Sequence, residues 1–391
     1  MKYGYRDIHE LTTLAYLDAR RHERTTTAQL EFELDQERNL ARLASQLSCR
    51  NWKPGAMDWF VLNYPTVREV FAPAFRDRVV SHVLFNMIAP IFERYFIHDS
   101  FSCRKGKGTL YGIERFEHHI RSVTDNYRRD AWCLNIDISG YFMSIDRSRL
   151  YRIIWKTLDK NRERFPDEID YDFADYLICA FLFRDPLDGC HFIGRRNIVH
   201  LVPSNKSLFT QEKGIGLPIG DVGNQLNSNI YLNELDYFVK RTLGVRNYCR
   251  YVDDARILRS DYAKLLDDRD RVAEFLDREL ALTLHPTKTK ITSLYETNYF
   301  LGAAIKPHRR YVQNDSLRRF RKFIREADEA LAGGTATADD ILPTLNARLG
   351  YLRHFDERMA TRKALESAEH VLDTFTIYRD MKKATIKQQQ I

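Results

Sequence analysis

The sequence predicts an α+β fold, and three observations carry that reading. Residues 132–138 (WCLNIDI) and 248–258 (YCRYVDDARIL) are short apolar runs of strand length. Segments with apolar residues three and four apart lie before and between them. Beyond Pro307 the pattern turns helical and basic.

Taken in order, residues 31–47 place Leu34, Leu40, Leu43 and Leu47 at helical spacing, with Thr25, Thr26 and Thr27 as candidate caps. Trp52-Lys53-Pro54-Gly55 breaks that pattern, and the aromatic, β-favouring stretch 59–64 reads as a strand or hairpin before Pro65. Residues 76–92 carry Val79, Val80, Val83, Leu84, Met87 and Ile88 on one face, a buried helix ending near Pro90. The two central runs read as single strands. A helix is expected over 148–158, an irregular stretch over 185–205, and a Gly/Pro loop over 214–223 leading into a helix at 225–240. A strand pair is expected at 289–294 and 299–305. Helices follow from near Ser316, with Gly333-Gly334 ending one and Asp339-Asp340 capping the next, before a fraying polar tail at 387–390.

At 391 residues with 44% hydrophobic side chains, the chain is long enough for two or three packed units sharing a large core. Its 61 Lys and Arg exceed 54 Asp and Glu by a net +7, and residues 306–391 hold 17 basic against 12 acidic. That balance suits a polyanion partner, although solvated faces of other proteins show it too. Six scattered cysteines form no C-x-x-C pair, so structural zinc is not expected and the thiols are expected to stay free in a reduced cytoplasm. The polar start lacks a signal-peptide core, and no run of about 18 apolar residues offers a span, so no membrane role is expected.

The chemistry concentrates in acids. Asp253-Asp254 sits between Tyr251-Val252 and Ile257-Leu258, an apolar setting in which adjacent carboxylates repel unless a cation compensates them. A tight turn with two solvated acids is the competing reading. Asp137 ends another apolar run, and two strands presenting three carboxylates suit hard divalent ions such as magnesium. Two such ions about 3.5–4 Å apart activate an attacking hydroxyl and stabilise a leaving pyrophosphate, the chemistry of phosphoryl transfer.

With these residues, the sequence resembles the prokaryotic reverse transcriptases, block after block in order. Residues 68–87 (REVFAPAFRDRVVSHVLFNM) resemble the first block, 101–114 (FSCRKGKGTLYGIE) the second, and 134–146 (LNIDISGYFMSID) the first catalytic palm motif. Residues 216–225 (GLPIGDVGNQ) and 226–236 (LNSNIYLNELD) resemble the template loop and its helix, and Tyr251-Val252-Asp253-Asp254 is the Y-x-D-D box. Residues 282–291 (LTLHPTKTKI) and Phe300-Leu301-Gly302 match the two blocks that follow.

The resemblance implies a right-hand polymerase with fingers, a palm of mixed or antiparallel sheet packed on helices, and a helical thumb. The corresponding division is an N-terminal helical extension at 1–58, fingers at 59–130, palm at 131–305 with a fingers-side insert roughly spanning 160–213, and thumb at 306–391. It implies an RNA-directed DNA polymerase that copies an RNA template into cDNA from deoxynucleoside triphosphates. Asp137, Asp253 and Asp254 become catalytic, holding magnesium together with the Ile138 backbone; carboxylates alone do not choose magnesium over manganese. Arg68 matches the arginine that grips the incoming triphosphate. The family's usual lysine a few residues earlier has no counterpart among Leu62, Asn63 and Tyr64. Phe142, five residues after Asp137, matches the aromatic gate against a ribose 2′-hydroxyl; Tyr141 and Phe142 as core aromatics is the alternative. Gln225 and Lys288 complete the nucleotide-binding set, with Lys290 competing for the lysine's place. Template and primer contacts fall on Arg104, Pro218, Ile219 and Gly220, and on Arg318, Arg319 and Lys322 of the thumb's first helix. For Arg104 a surface arginine is the alternative.

Two branches of the family fit. Common intron-type enzymes carry P-Q-G where this chain reads Pro218-Ile219-Gly220. An aliphatic residue there resembles the error-prone enzymes of diversity-generating retroelements. Asp221-Val222-Gly223-Asn224 departs from that subgroup, and with the N-terminal extension and the insert it places antiphage defence ahead of diversification. The partners implied are a dedicated non-coding RNA and the cDNA product, with an accessory protein or homo-oligomer as further possibilities. A catalytically silent RNA-binding scaffold is the reading from another class, and the retained acids, Arg68 and Phe142 weigh against it.

Overall fold

The computed structural model describes residues 7–64, 66–165, 171–378 and 380–387. Helices α1 (Ile8–Ala19), α2 (Thr27–Glu33) and α3 (Gln36–Ser48) precede strands β1 (Met57–Leu62) and β2 (Arg68–Pro73) and helix α4 (Phe75–Phe92). Then come α5 (Thr109–Val123), β3 (Trp132–Ile136), the single turn α6 (Tyr141–Ser144), α7 (Arg147–Asp159), α8 (Tyr171–Leu182) and β4 (His191–Phe192). After α9 (Val222–Tyr237) follow β5 (Asn247–Tyr251), β6 (Asp254–Arg259), α10 (Tyr262–Leu280) and β7 (Lys290–Ser293). The chain closes with β8 (Asn298–Phe300), β9 (Ala303–Lys306), β10 (Arg309–Val312), α11 (Asn314–Ala332), α12 (Ala338–Leu352), α13 (Arg358–Glu366), α14 (Glu369–Thr374), β11 (Phe375–Ile377) and β12 (Ala384–Ile386). This is the α+β fold that the sequence predicts. Among the described residues no helix is long and apolar enough to cross a membrane.

The chain divides into two compact units, Met1–Gly108 with Leu134–Ile291, and Thr109–Cys133 with Thr292–Ile391. In the first, a four-stranded sheet runs in the order β5-β6-β3-β7. Helix α9 packs against α4, α7 and α10. It is buried on nearly every side, with the small polar residues Asn227, Ser228 and Asn229 letting neighbouring helices approach. A second sheet pairs β1 antiparallel to β2, Met57 opposite Pro73 and Leu62 opposite Arg68, with β4 parallel on the far side of β1. The N-terminal helices are part of this unit, α1 lying on both α3 and α4. In the second unit, β8, β9 and β10 form a meander beside α5, with the Phe116 and Phe300 rings 5.0 Å apart. Helix α11 buries Phe320, Ile324 and Ala327, one stripe at helical spacing, and packs on α12, α13 and α14.

Several expectations need correction. The single helix expected over 31–47 is broken between α2 and α3, and Leu34 at the break is 87% exposed while Leu40, Leu43 and Leu47 are buried. The corner is held by the Tyr16 hydroxyl, which donates toward Glu33 and Gln36 on either side of it. Helix α4, by contrast, ends where it is expected to, at Phe92, with Pro90 in its last turn. The run 248–258 is not one strand but the hairpin β5-β6, with Tyr251 opposite Asp254 and Val252-Asp253 forming the turn. Residues 289–294 and 299–305 do not pair with each other. Strand β7 lies at the edge of the four-stranded sheet, whereas β8 and β9 pair antiparallel within the second unit. Asp339-Asp340 is not the cap of α12: Thr337 is the N-cap, in a capping box with Asp340. The C-terminal part is not wholly helical, since β10 and the β11-β12 hairpin belong to it. Lys387, expected to fray, donates its amide to the Thr374 carbonyl at 2.9 Å, and residues 388–390 lie outside the described residues.

Candidate active site

Strand β3 ends at Ile136, so Asp137 leaves the central sheet one residue beyond it, beside β6, whose first residue is Asp254. A β-bridge pairs Ile138 with Leu284, flanked by bonds from the Ser139 amide to the Thr283 carbonyl and from the His285 amide to the Asp137 carbonyl. In such a non-hydrogen-bonded pair the carbonyl of Ile138 is directed away from its neighbour, which leaves it aimed to the other side. The Ile138 side chain is core.

The three carboxylates are electrostatically coupled. Burial pushes the Asp253 carboxyl up to about 6, and the charges of Asp137 and Asp254 push in the same direction. Burial likewise raises Asp254, against the opposing guanidinium of Arg256, to which it is ion-paired. Lys288 Nζ lies 3.4 Å from both carboxylate oxygens of Asp137. Asp137 and Asp254 therefore each have a side-chain cation in contact, while Asp253 is raised by burial first and by its acidic neighbours, against the more distant charge of Lys288. Among the described residues no three acidic, histidine or cysteine side chains converge into a ready-made cation site. The donor set still fits hard divalent ions, being carboxylate oxygen with a backbone carbonyl nearby.

Phe142 and Ile219 share a support. Both pack on the buried cluster of Met57, Phe71, Met143 and Leu208. Phe142 is half-buried, whereas Tyr141 is core, its hydroxyl donating to the Ser228 carbonyl at 2.6 Å. Of the two aromatics only Phe142 keeps an accessible face. The loop carrying Pro218, Ile219 and Gly220 is fastened on both sides. The Leu217 amide donates to the Phe142 carbonyl at 2.7 Å, and the Phe71 amide on β2 donates to the Ile219 carbonyl at 2.8 Å. Gly220 has φ +133°, and a Cβ there would fall 2.6 Å from the Phe71 carbonyl oxygen. The residues that depart from the family pattern also hold this loop: buried Asp221 accepts from the Ser81 hydroxyl on α4 at 2.8 Å, and Asn224 Nδ2 donates to the Pro218 carbonyl at 3.0 Å. Gln225 is exposed on the first turn of α9.

Arg68 opens β2, half-buried, and its buried Nε has no hydrogen-bond partner among the described residues. An orphaned guanidinium donor costs free energy unless a ligand satisfies it, which fits an anion-gripping residue. Its neighbour Glu69, which sequence reading missed, is buried and accepts from the Ser207 hydroxyl at 2.6 Å and the Leu208 amide at 2.9 Å, tying the insert to β2. Burial raises its carboxyl above the ordinary value. An acid alternating with apolar residues in a strand was the signal for it. Arg256 was missed too, although its place two residues after Asp254 was legible.

Arg104 does not join the site. Its guanidinium donates to Glu93 and to the carbonyls of Ile97 and Ser100, with contacts of 2.7–3.1 Å, and its side chain is 6% exposed. Arg104 thus clamps the end of α4 to the turn that follows it. Lys290 begins β7, its carbonyl accepting from Asn135, so Lys288 is the lysine that faces Asp137. In the second unit, Arg318, Arg319 and Lys322 are exposed on α11, with local partners Asp315, Ser316 and Glu326.

Comparison with known proteins gives the family. The family model described as reverse transcriptase (RNA-dependent DNA polymerase) matches residues 64–305, and the chain belongs to that family. It is 24% identical over 268 residues to Protein YkfC of Escherichia coli K12, covering 60% of this chain and 62% of that protein. Among solved structures it is similar to an apo telomerase from Candida tropicalis truncated from its C-terminal domain (TM-score 0.45, 10% identity, 66% of this chain and 55% of that one). It is also similar to a telomerase from Candida albicans in complex with a fragment of telomeric RNA (TM-score 0.47, 9% identity, 86% of this chain and 60% of that one). The chain thus spans less than two thirds of the length of each of these relatives.

Proposed function

We propose that this chain is an RNA-directed DNA polymerase that extends a primer with deoxynucleotides on an RNA template. The observation that carries the reading is the coupled acid group, in which Asp253 is raised to about 6 by burial and by Asp137 and Asp254. That electrostatic debt is one a divalent cation relieves. Asp137, Asp253, Asp254 and the Ile138 carbonyl would hold the ions, with magnesium proposed and manganese the alternative. A bound pair of ions supplies activation of the primer hydroxyl and stabilisation of the leaving pyrophosphate. Arg68, with its orphaned Nε, grips the triphosphate. Phe142 presents its open face to the sugar and clashes with a 2′-hydroxyl, and Gln225 borders the same nucleotide. Lys288, whose Nζ lies 3.4 Å from Asp137, would meet the departing pyrophosphate. Pro218, Ile219 and Gly220 support the templating base, and Arg318, Arg319 and Lys322 hold phosphate backbone without reading sequence.

In this reading residues 59–130 supply the fingers, 131–305 the palm and 306–391 the thumb, behind the N-terminal helical extension at 1–58. The proposed template is a dedicated non-coding RNA and the product a cDNA used in antiphage defence, with an accessory protein or a second copy of the chain as further partners. Support for defence over diversification comes from Asp221 and Asn224, divergent residues that hold the template loop. Ile219 favours the second reading, an error-prone enzyme of a diversity-generating retroelement, because it offers the template no amide. The test is incorporation of labelled deoxynucleotides on RNA by the protein and by Asp253→Asn/Asp254→Asn, followed by sequencing of the product. Adenine-biased errors favour diversification. No incorporation by the unmodified protein with either metal favours a silent RNA-binding scaffold.

A further inference from the structure

We propose that Arg250 and Asp236 form a positioning pair that holds the Val252-Asp253 turn in the geometry the chemistry requires, an inference that rests on the polymerase reading of the acids. Both side chains are fully buried. Arg250 grips Asp236 with two parallel bonds, Nε to Oδ1 at 2.8 Å and Nη2 to Oδ2 at 2.7 Å. Its remaining nitrogen, Nη1, donates to the Val252 carbonyl at 2.9 Å and more weakly to Asn229 Oδ1 at 3.4 Å.

That carbonyl belongs to the peptide joining Val252 to Asp253. Fixing it fixes the plane from which the Asp253 side chain departs. Val252 has φ +55°, a left-handed conformation that a β-branched residue avoids. A two-residue hairpin turn with positive φ at its first central position ordinarily places glycine there. Local preference therefore opposes the turn, and the guanidinium beneath it supplies a compensating bond. The base of the arrangement is rigid. The Tyr248 hydroxyl donates to Asp236 Oδ1 at 2.7 Å, the Arg250 amide to the Asp99 carbonyl at 2.9 Å, and the Phe101 amide to the Arg250 carbonyl at 3.1 Å. A buried ion pair is weak as a stabiliser compared with apolar packing, so its value here lies in direction. Only a planar fork can grip a carboxylate on one edge and a carbonyl on the other; a lysine has one nitrogen for both.

The test compares Arg250→Lys with Arg259→Lys. Arg259, at the end of the neighbouring strand β6, makes a two-bonded pair with the buried Asp268 of α10 and touches none of the three candidate catalytic acids. We expect Arg250→Lys to lower kcat per folded molecule by about 10- to 100-fold, with the KM for deoxynucleotide and the affinity for RNA little changed. Arg259→Lys should lower the melting temperature alone. A kcat within about twofold of the unmodified protein in folded Arg250→Lys would overturn the proposal. If Arg250→Lys does not fold, hydrogen exchange of the unmodified protein decides: amides at the turn that exchange as slowly as those of β5 and β6 support it, and loop-like exchange overturns it. If the unmodified protein does not polymerise, the polymerase reading fails separately, and Mn2+ binding by electron paramagnetic resonance judges the pair. Weaker binding in Arg250→Lys supports it, and equal binding overturns it.

Discussion

The amide of Phe71 donates to the carbonyl of Ile219 at 2.8 Å, so the strand that begins with Arg68 and the loop proposed to support the template are one hydrogen-bonded piece. Gly220 makes that approach feasible. Its φ of +133° and the 2.6 Å from a built Cβ to the Phe71 oxygen leave no room for a side chain. Gly220→Ala is expected to cost about 1–3 kcal/mol of stability. It should also lower incorporation by displacing Ile219. Urea unfolding beside primer extension checks both.

Asp253 links pH to metal binding. Its carboxyl, near 6 in the folded metal-free protein, lies above its ordinary value of 3.8. A raised folded-state value contributes stability that is full below about 3.8 and is lost as pH rises through about 6. The metal-free protein at pH 7.5 therefore carries an unfavourable ionised Asp253. Asp253→Asn should raise its melting temperature there while abolishing incorporation. Conversely, protons compete with the cation, so Mn2+ affinity should fall as pH drops from 7.5 to 5.5. Titration followed by electron paramagnetic resonance reads this directly.

Phe142 is partly exposed, whereas Tyr141 is buried with its hydroxyl bonded to the Ser228 carbonyl. Phe142→Ala is expected to reduce the preference for deoxy- over ribonucleotides by roughly tenfold or more, by removing a clash and not a contact. The ratio of kcat/KM for the two substrates measures it. Tyr141→Phe should leave that ratio unchanged.

On α11, Arg318, Arg319 and Lys322 are exposed, and their pairs with Asp315 and Glu326 are surface ion pairs of little energetic weight. Replacing all three by glutamine should leave the melting temperature nearly unchanged. RNA–DNA duplex affinity should fall, and the slope of log affinity against log salt should shrink by about one per lost phosphate contact. Fluorescence anisotropy across a salt series tests this.

The acids were legible because their setting is local: a D-D pair inside an apolar run, and a third acid ending another run. Period and composition also found α4, α7, α9 and the strand β3. What the sequence did not show was contact between distant segments. The turn at Val252-Asp253 was hidden because neither residue is a usual hairpin turn former and the compensating bond comes from Arg250. Strand β7 was misassigned a partner because pairing depends on tertiary neighbours that spacing does not encode. Arg104 matched a family block, but its acceptors Glu93, Ile97 and Ser100 are visible only once α4 and the following turn are folded. Glu69 and Ser207 lie 138 residues apart, beyond any sequence window.

The central claim is that Asp137, Asp253 and Asp254 drive copying of RNA into DNA. The most direct measurement is extension of a labelled primer on an RNA template with magnesium or manganese, comparing the unmodified protein with Asp253→Ala/Asp254→Ala. Metal-dependent extension that follows the template is expected from the unmodified protein, and it should vanish in the double variant while fold and RNA affinity persist. Extension of equal rate in the double variant, or none by the unmodified protein with either metal, would contradict it.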